Sequence, residues 1–212
     1  MGRSKRIAAT DLMPDFTGFS LDRGRYRILE ILGCGAYGKV YLAEDNFARP
    51  SNQKVFAIKC LSKPRHGSHA ELLQQREFAY HKLVSGHPNV VTFHRHFSDG
   101  LFVYVVLDFC TGGDLYIAIT EKRLFHHDER LIKNAFIQLI DAVEHCHHLG
   151  VYHRDIKPEN VLVSEDGTHV CLADFGLSVM GSISQEFGCG SSCYMSPGAY
   201  YSFYFRKFWL IK

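Results

Sequence analysis

This sequence lacks the features that mark export, membrane insertion or nucleic-acid binding. No stretch reaches the roughly 18 apolar residues of a membrane span, and no apolar run at the N-terminus resembles a signal peptide. Charge is nearly balanced, at a formal +2, which gives no argument for a nucleic-acid partner. Paired cysteine spacings are missing as well. The seven cysteines are odd in number and scattered (Cys34, Cys60, Cys110, Cys146, Cys171, Cys189, Cys193), as expected of reduced thiols in a cytoplasmic or nuclear protein. Gly2 follows the initial Met, but Arg6 stands where a myristoylation signal needs Ser or Thr. There is no internal repeat.

What is present suffices for a core: 46% of 212 residues are apolar, enough for one large domain or two small lobes. Residues 1–25 are mixed polar, with Pro14, Gly18 and Gly24, and read as a flexible lead-in. "YRILEILG", "VYLAED" and "KVFAIKCL" alternate as strands. Residues 69–84 carry helical spacing at Leu72, Leu73, Arg76, Tyr80 and Leu83, stopped by Gly86 and Pro88. Two more strands flank the turn "SDG". The clearest helix is 128–148, with Asp128 as cap and Leu131, Ile132, Ala135, Phe136, Leu139, Ile140 and Val143 at helical intervals. A strand-rich part thus precedes a helix-led part, with the join near residue 110.

The glycines of "ILGCGAYGKVYLA", residues 31–43, approach three phosphate-binding patterns. The Walker loop needs a hydroxyl after GK to reach Mg²⁺, and Val40 has none. The dinucleotide fingerprint needs a helix after Gly33, Gly35 and Gly38, but "KVYLAED" alternates as a strand, so no helix N-terminus meets the pyrophosphate. A glycine-rich hairpin, GxGxxGxV between two strands, fits Gly33, Gly35, Gly38 and Val40. That hairpin alone equally describes a plain tight turn.

The next motifs select among these. "FAIK" ends at Lys59, on a strand 19 residues after Val40. Glu77 lies in the following helix, with Glu71 as a rival. "VYHRDIKPENVLV", residues 151–163, sets His153, Arg154, Asp155, Lys157 and Asn160 in one register, and "LADFGLS" places Asp174 14 residues after Asn160. Over residues 26 to about 197 the chain resembles the eukaryotic protein kinase family, Ser/Thr type. The resemblance implies an α+β, two-lobe kinase-like fold, with an antiparallel sheet N-lobe bearing one helix and an incomplete, mainly helical C-lobe. It divides the chain into a flexible segment 1–25, an ATP-binding lobe 26–110, a partial catalytic lobe 111–197 and a tail 198–212.

It also implies ATP and Mg²⁺ as cofactors and protein substrates carrying Ser or Thr. By the same resemblance Asp155 orients the substrate hydroxyl and accepts its proton, Lys157 lies beside the transferred phosphate, and Asn160 and Asp174 bind metal. Leu32, Gly33, Cys34, Gly35, Ala36, Tyr37, Gly38, Lys39 and Val40 cover the nucleotide. Ala57 and Leu162 sandwich the adenine with Val40, while Leu107 is the gatekeeper. Asp108, Phe109 and Cys110 form the hinge, and Asp114 meets the ribose. Lys59 grips the α and β phosphates and Glu77 pairs with it. Arg154 implies a phosphorylated activation loop, set by an upstream kinase or by autophosphorylation. Candidate sites are Ser178, Ser182, Ser184, Ser191 and Ser192, with Ser182 or Ser184 preferred because Ser191 aligns beside Asp155. "EFGCGSSCYMSP" resembles a fungal subgroup linked to nutrient response and the choice between mitosis and meiosis. A monomer is expected.

Other features stay with plainer readings. "HCHH", residues 145–148, suits a helix C-terminus better than zinc. Cys189 and Cys193 suggest a redox pair only weakly, and Cys34 is a labelling site. The kinase pattern then breaks: "MSP" is followed by Gly198 in place of Glu. The ending "AYYSFYFRKFWLIK" holds seven aromatics in 14 residues and resembles nothing in the family. The expectation is a truncated gene product, from a misread splice junction, retained intron or premature stop. Its 128–148 helix would then leave one apolar face uncovered. A non-catalytic nucleotide- or partner-binding module is the alternative.

Overall fold

The computed structural model describes residues 13–35, 38–49, 54–181 and 189–196. They form two compact units. One holds the described residues up to Glu71 together with Phe93–Phe109; the other holds Leu72–Thr92 and the described residues from Cys110 onward.

The first unit is a six-stranded antiparallel sheet. Its strands are β1 (Ser20–Leu21), β2 (Tyr26–Cys34), β3 (Gly38–Asp45), β4 (Val55–Ser62), β5 (Phe93–Ser98) and β6 (Phe102–Asp108), in the order β1-β2-β3-β4-β6-β5. Alternation along each strand sends successive side chains to opposite faces. Register does the rest: Tyr41 lies opposite Ile58 and Ala43 opposite Phe56, while Cys60 faces Tyr104 and Ile58 faces Val106. These residues make one buried face. Asp99 fixes the β5–β6 turn by accepting from the amides of Leu101 (3.0 Å) and Phe102 (2.8 Å) and from the Tyr104 hydroxyl (2.7 Å).

Residues 13–25, expected as a flexible lead-in, belong to this unit. Met13 is buried in the sheet's core, and β1 pairs with β2. Phe16 meets the rings of Tyr41, Phe102 and Tyr104 at 5.3–6.1 Å. An aromatic in a Pro/Gly-rich stretch reads as loop locally; its partners on β3 and β6 decide otherwise.

The second unit contains α1 (His69–Val84) from Leu72 onward, α2 (Leu115–Thr120), α3 (Glu129–His148) and two short hairpins. These pair β7 (Val151–Tyr152) with β10 (Val179–Met180), and β8 (Val161–Val163) with β9 (Val170–Leu172). Its core joins Val84, Val90, Ala142, Cys146, Val151, Val161, Leu172 and Phe175. Asp128 caps α3 by accepting from the Leu131 amide at 2.8 Å, as the sequence predicts. No helix among the described residues is long and apolar enough to cross a membrane.

Two expectations about this unit need correction. The stretch 72–92 was assigned to the first lobe, but its contacts are with the second unit. The Val91 amide donates to Leu172 O at 3.0 Å, and His81 packs 4.8 Å from the Phe175 ring. The buried face of α1 also differs from the expected one. Phe78, His81 and Val84 are buried, whereas Leu72, Leu73 and Leu83 are exposed. Periodicity ranks leucine above histidine, but the His81 ring is satisfied inside by Val91 O at 2.7 Å. On α3 the expected apolar face is uncovered: Ile132, Phe136 and Ile140 are exposed.

Candidate active site

The second unit brings Asp155, Lys157, Asn160 and Ser191 into one cluster. The first three sit between β7 and β8, where a 3₁₀ turn at Pro158–Asn160 reverses the chain, and Ser191 reaches them from beyond β10. Asn160 is buried, and its Nδ2 donates to Asp155 O (2.8 Å) and Asp155 Oδ2 (3.1 Å). Lys157 Nζ lies 3.3 Å from Asp155 Oδ2 and donates to Ser191 Oγ at 3.0 Å. The Ser191 amide donates to Asp155 Oδ1 at 2.8 Å. Burial works to raise the Asp155 pKa, but the bonds from Ser191 and the Lys157 charge outweigh it and hold the carboxyl below its ordinary value.

His153 supports this loop from beneath. It is buried, with Nε2 against Ala173 O at 2.9 Å, and its Nδ1 accepts the Asp155 amide at 3.3 Å. Burial lowers its pKa, so the ring is neutral with its proton on Nε2. Phe175 lies in the core between the rings of His153 (4.9 Å) and His81 (4.8 Å). That seat anchors Asp174, whose side the chain reaches because Ala173 N donates to Asn160 O at 2.8 Å. Asp174 itself is exposed. A Cβ placed on Gly176 would meet Asp174 Oδ1 at 3.4 Å and Glu77 Oε2 at 3.5 Å, so both carboxylates border that glycine. Arg154 (φ 68°) and Asp174 (φ 61°) hold left-handed backbone that side chains rarely adopt, strain that gathers at functional sites.

The oxygen donors here suit a hard cation. The Asn160 amide nitrogen is committed to Asp155, which leaves its carbonyl oxygen, and Asp174 offers an exposed carboxylate. Such ligands match Mg²⁺. Among the described residues no group of three or more His, Cys, Asp or Glu is arranged to hold a metal. In "HCHH", His145 Nε2 bonds Val84 O at 3.0 Å, Cys146 is buried and His147 stacks on Tyr152.

In the first unit, one sheet face collects five of the residues expected around a nucleotide. Gly33 lies opposite Val40, Val40 opposite Lys59, and Ala57 opposite Leu107. Directly opposed residues point the same way, so these five share the face turned away from the aromatic core. Lys39 is on the other face, where its Nζ donates to Met13 O at 2.7 Å; strand alternation separates it from Val40. Gly38 is required by close approach, since a Cβ there would lie 2.1 Å from Cys60 O. Leu32, Cys34 and Gly35 are exposed, and Ala36 and Tyr37 lie outside the described residues. Asp108 Oδ1 lies 2.6 Å from His94 Nε2.

In the second unit, Asp114 caps α2 through the Ile117 amide (2.8 Å) and bridges to Leu162, while Cys110 O accepts from Gly113 N at 3.4 Å. Arg154 Nε donates to Leu177 O at 2.7 Å. Ser178 is buried; Ser182 and Ser184 lie outside the described residues, as does 197–212.

Sequence reading missed several supports. Gly190 (φ 102°) would put a Cβ 2.7 Å from Arg154 O, so only glycine brings Ser191 down to Asp155. Asn89 links the α1 loop to β9 by donating to Val170 O (2.8 Å) and Gln138 Oε1 (2.7 Å). The short α2 carries no periodic signal long enough to predict it. A Gly beside Ser191 and an Asp after Gly-Gly were the only local signals.

Comparison with known proteins identifies the family. The family profile for the protein kinase domain matches residues 26–201. The chain is similar to a negative regulator of sexual conjugation and meiosis of Schizosaccharomyces pombe, 48% identical over 171 residues, covering 81% of this chain and 36% of that protein. Serine/threonine-protein kinase ksp1 of the same organism is 40% identical over 184 residues, covering 84% of this chain and 38% of its own length. A CBL-interacting protein kinase 22 of Oryza sativa subsp. japonica is 36% identical, covering 90% of this chain and 47% of its own. The chain thus spans less than half the length of each of these relatives.

Proposed function

Since the chain belongs to the protein kinase family, we propose that it transfers the γ-phosphoryl group of ATP to Ser or Thr hydroxyls of protein substrates. The observation that carries this reading is the Asp155–Lys157–Asn160–Ser191 cluster. Phosphoryl transfer asks a protein mainly for positioning and charge neutralisation. Asp155, ionised and held by Asn160, orients the incoming hydroxyl and takes its proton. The substrate oxygen bonds to the γ-phosphorus as the bond to the bridging oxygen of the leaving diphosphate breaks.

Lys157 places a cation beside the transferred group. Asn160 and Asp174 would hold Mg²⁺, which supplies neutralisation of the phosphate charge when bound. Lys59 serves the α and β phosphates. Gly33 and Val40, with Ala57 and Leu107, offer the sheet face for the adenine. Arg154 fits regulation by phosphorylation in the activation segment. We place the protein in the cytoplasm or nucleus, as a monomer.

The test is an assay with Mg-ATP and a generic Ser/Thr substrate, beside Lys59→Met. Turnover in the native chain and its loss in the variant is the expected result; equal transfer in both would sink the reading. The uncovered face of α3 favours one alternative, a nucleotide-binding module without turnover. It predicts thermal stabilisation by Mg-ATP with no phosphate transferred.

A further inference from the structure

The two outer strands of the first unit's sheet meet through their side chains. β1 and β5 stand at opposite ends of the strand order, yet Asp22 Oδ2, in the turn after β1, pairs with Arg95 Nη1 of β5 at 3.0 Å. The curl encloses a cavity of about 660 Å³, lined wholly by residues of this unit. Its floor is Phe97 and Tyr104, whose rings stack at 5.0 Å in the aromatic core. Tyr104 lies opposite Cys60, one residue on from Lys59, so the cavity is on the sheet face opposite the one that Val40 and Lys59 share. Leu21 and Phe47 add apolar wall, and Arg23, Arg25 and Arg95 supply three guanidiniums.

The carboxylates around this cavity are already engaged. Asp22 holds Arg95. Asp99 accepts from the Leu101 and Phe102 amides and the Tyr104 hydroxyl. Asp45 takes Nε and Nη2 of Arg25 at 2.9–3.3 Å, which leaves Arg25 Nη1 without a hydrogen bond among the described residues. Arg23 has no hydrogen-bond or ion-pair partner among them. Asp22 (φ 51°) and Arg23 (φ 57°) both hold left-handed backbone, which side chains rarely adopt without compensation. The ion pair with Arg95 compensates the first; a bound anion would do so for the second. Guanidinium forks select carboxylates geometrically as well as by charge.

Sites for small molecules bury most of the ligand's surface. Here Arg23 is exposed and Phe47 is 70% exposed. These anchors stand on the rim, which suits a length of chain laid across the opening.

We propose that this cavity docks a short extended segment of a partner protein in which a glutamate or aspartate adjoins an aromatic side chain. The carboxylate lies against Arg23 and Arg25 Nη1, and the ring packs beside Phe47 over Phe97. The proposal does not rest on phosphoryl transfer.

The probe is a fluorescein-labelled hexapeptide, Glu-Glu-Phe-Glu-Glu-Phe, titrated into the intact chain without nucleotide and followed by anisotropy. Saturable binding is expected. It should weaken about tenfold in Arg23→Glu, where attraction becomes repulsion, and fall again in Phe47→Ser. Raising salt from about 0.05 to 0.5 M should weaken it too. Both variants alter exposed side chains, and far-UV circular dichroism checks their fold; should Arg23→Glu not fold, Phe47→Ser and the salt series decide. No saturable binding up to about 1 mM peptide would overturn the proposal, as would equal binding of a peptide with glutamine at every glutamate. Binding unchanged in both variants would place the peptide elsewhere and overturn it. Phenylpropionate binding as tightly as the peptide would make this a small-anion site and overturn it as well.

Discussion

The backbone amide of Ser191 donates to Asp155 Oδ1 at 2.8 Å, tying the segment around Gly190 to the carboxylate proposed as the base. Asp155→Asn keeps an acceptor for that amide but removes the base and the charge facing Lys157. Phosphate transfer should fall about 10²–10⁴-fold, while thermal stabilisation by Mg-ATP persists. Steady-state rates and a thermal shift with nucleotide check both halves.

Ser191 is among the groups holding the Asp155 pKa down against the raising effect of burial. Ser191→Ala should therefore move the acid limb of the rate profile to higher pH, because a larger fraction of Asp155 is then protonated and idle. The measurement is kcat/KM against pH for both proteins. An unmoved limb would show that Ser191 does not tune the base.

Gly190→Ala is expected to damage activity more than fold. Its φ of 102° and a Cβ 2.7 Å from Arg154 O force the backbone to shift exactly where Ser191 meets Asp155. Misfit of this kind costs about 1–3 kcal/mol. Denaturant unfolding gives the stability change, and the rate should drop even where the protein remains folded.

Stability should decline as pH falls from about 7.5 through the ordinary histidine range near 6.5. His153 and His87 both have lowered pKa values, chiefly through burial, with His145 adding to the effect at His87. Below about 6.5 the unfolded chain binds protons that the folded chain refuses, so protonation favours unfolding. The loss levels off only below the folded-state values. His87 Nδ1 accepts the Asn89 amide at 3.1 Å, and His87→Asn, which retains an acceptor without titrating there, should flatten part of the slope. Melting temperature against pH for the two proteins is the check.

Thiol reactivity should divide by burial. Burial pushes Cys60 up to about 12 and Cys146 up to about 11, so neither forms thiolate near neutral pH. Cys34 and Cys193 are exposed. Brief iodoacetamide treatment followed by peptide mapping should label those two and leave Cys60 and Cys146 unmodified until denaturant is added.

The Asp155–Asn160 cluster was legible in the sequence because its residues are close along the chain. Asp155, Lys157 and Asn160 span one short turn, and a 3₁₀ reversal at Pro158 brings them together with little help from elsewhere. Strand alternation likewise revealed β2, β3 and β4, and periodicity with a capping aspartate revealed α3. The partner face of α1 was not legible. Leu72, Leu73 and Leu83 score as more apolar than His81, yet His81 goes inside because Val91 O and the Phe175 ring are waiting there.

By itself, then, the sequence determined the local elements, the spacing of Asp155, Lys157 and Asn160, and the protein kinase family, since short-range spacing and residue chemistry carry that information. Tertiary structure alone decided that Met13 and Phe16 complete the first core, that the Lys39 ammonium meets Met13 O, and that Gly190 sets Ser191 on Asp155. Each of those depends on a partner distant along the chain, and one local stretch carries no record of which distant group will meet it.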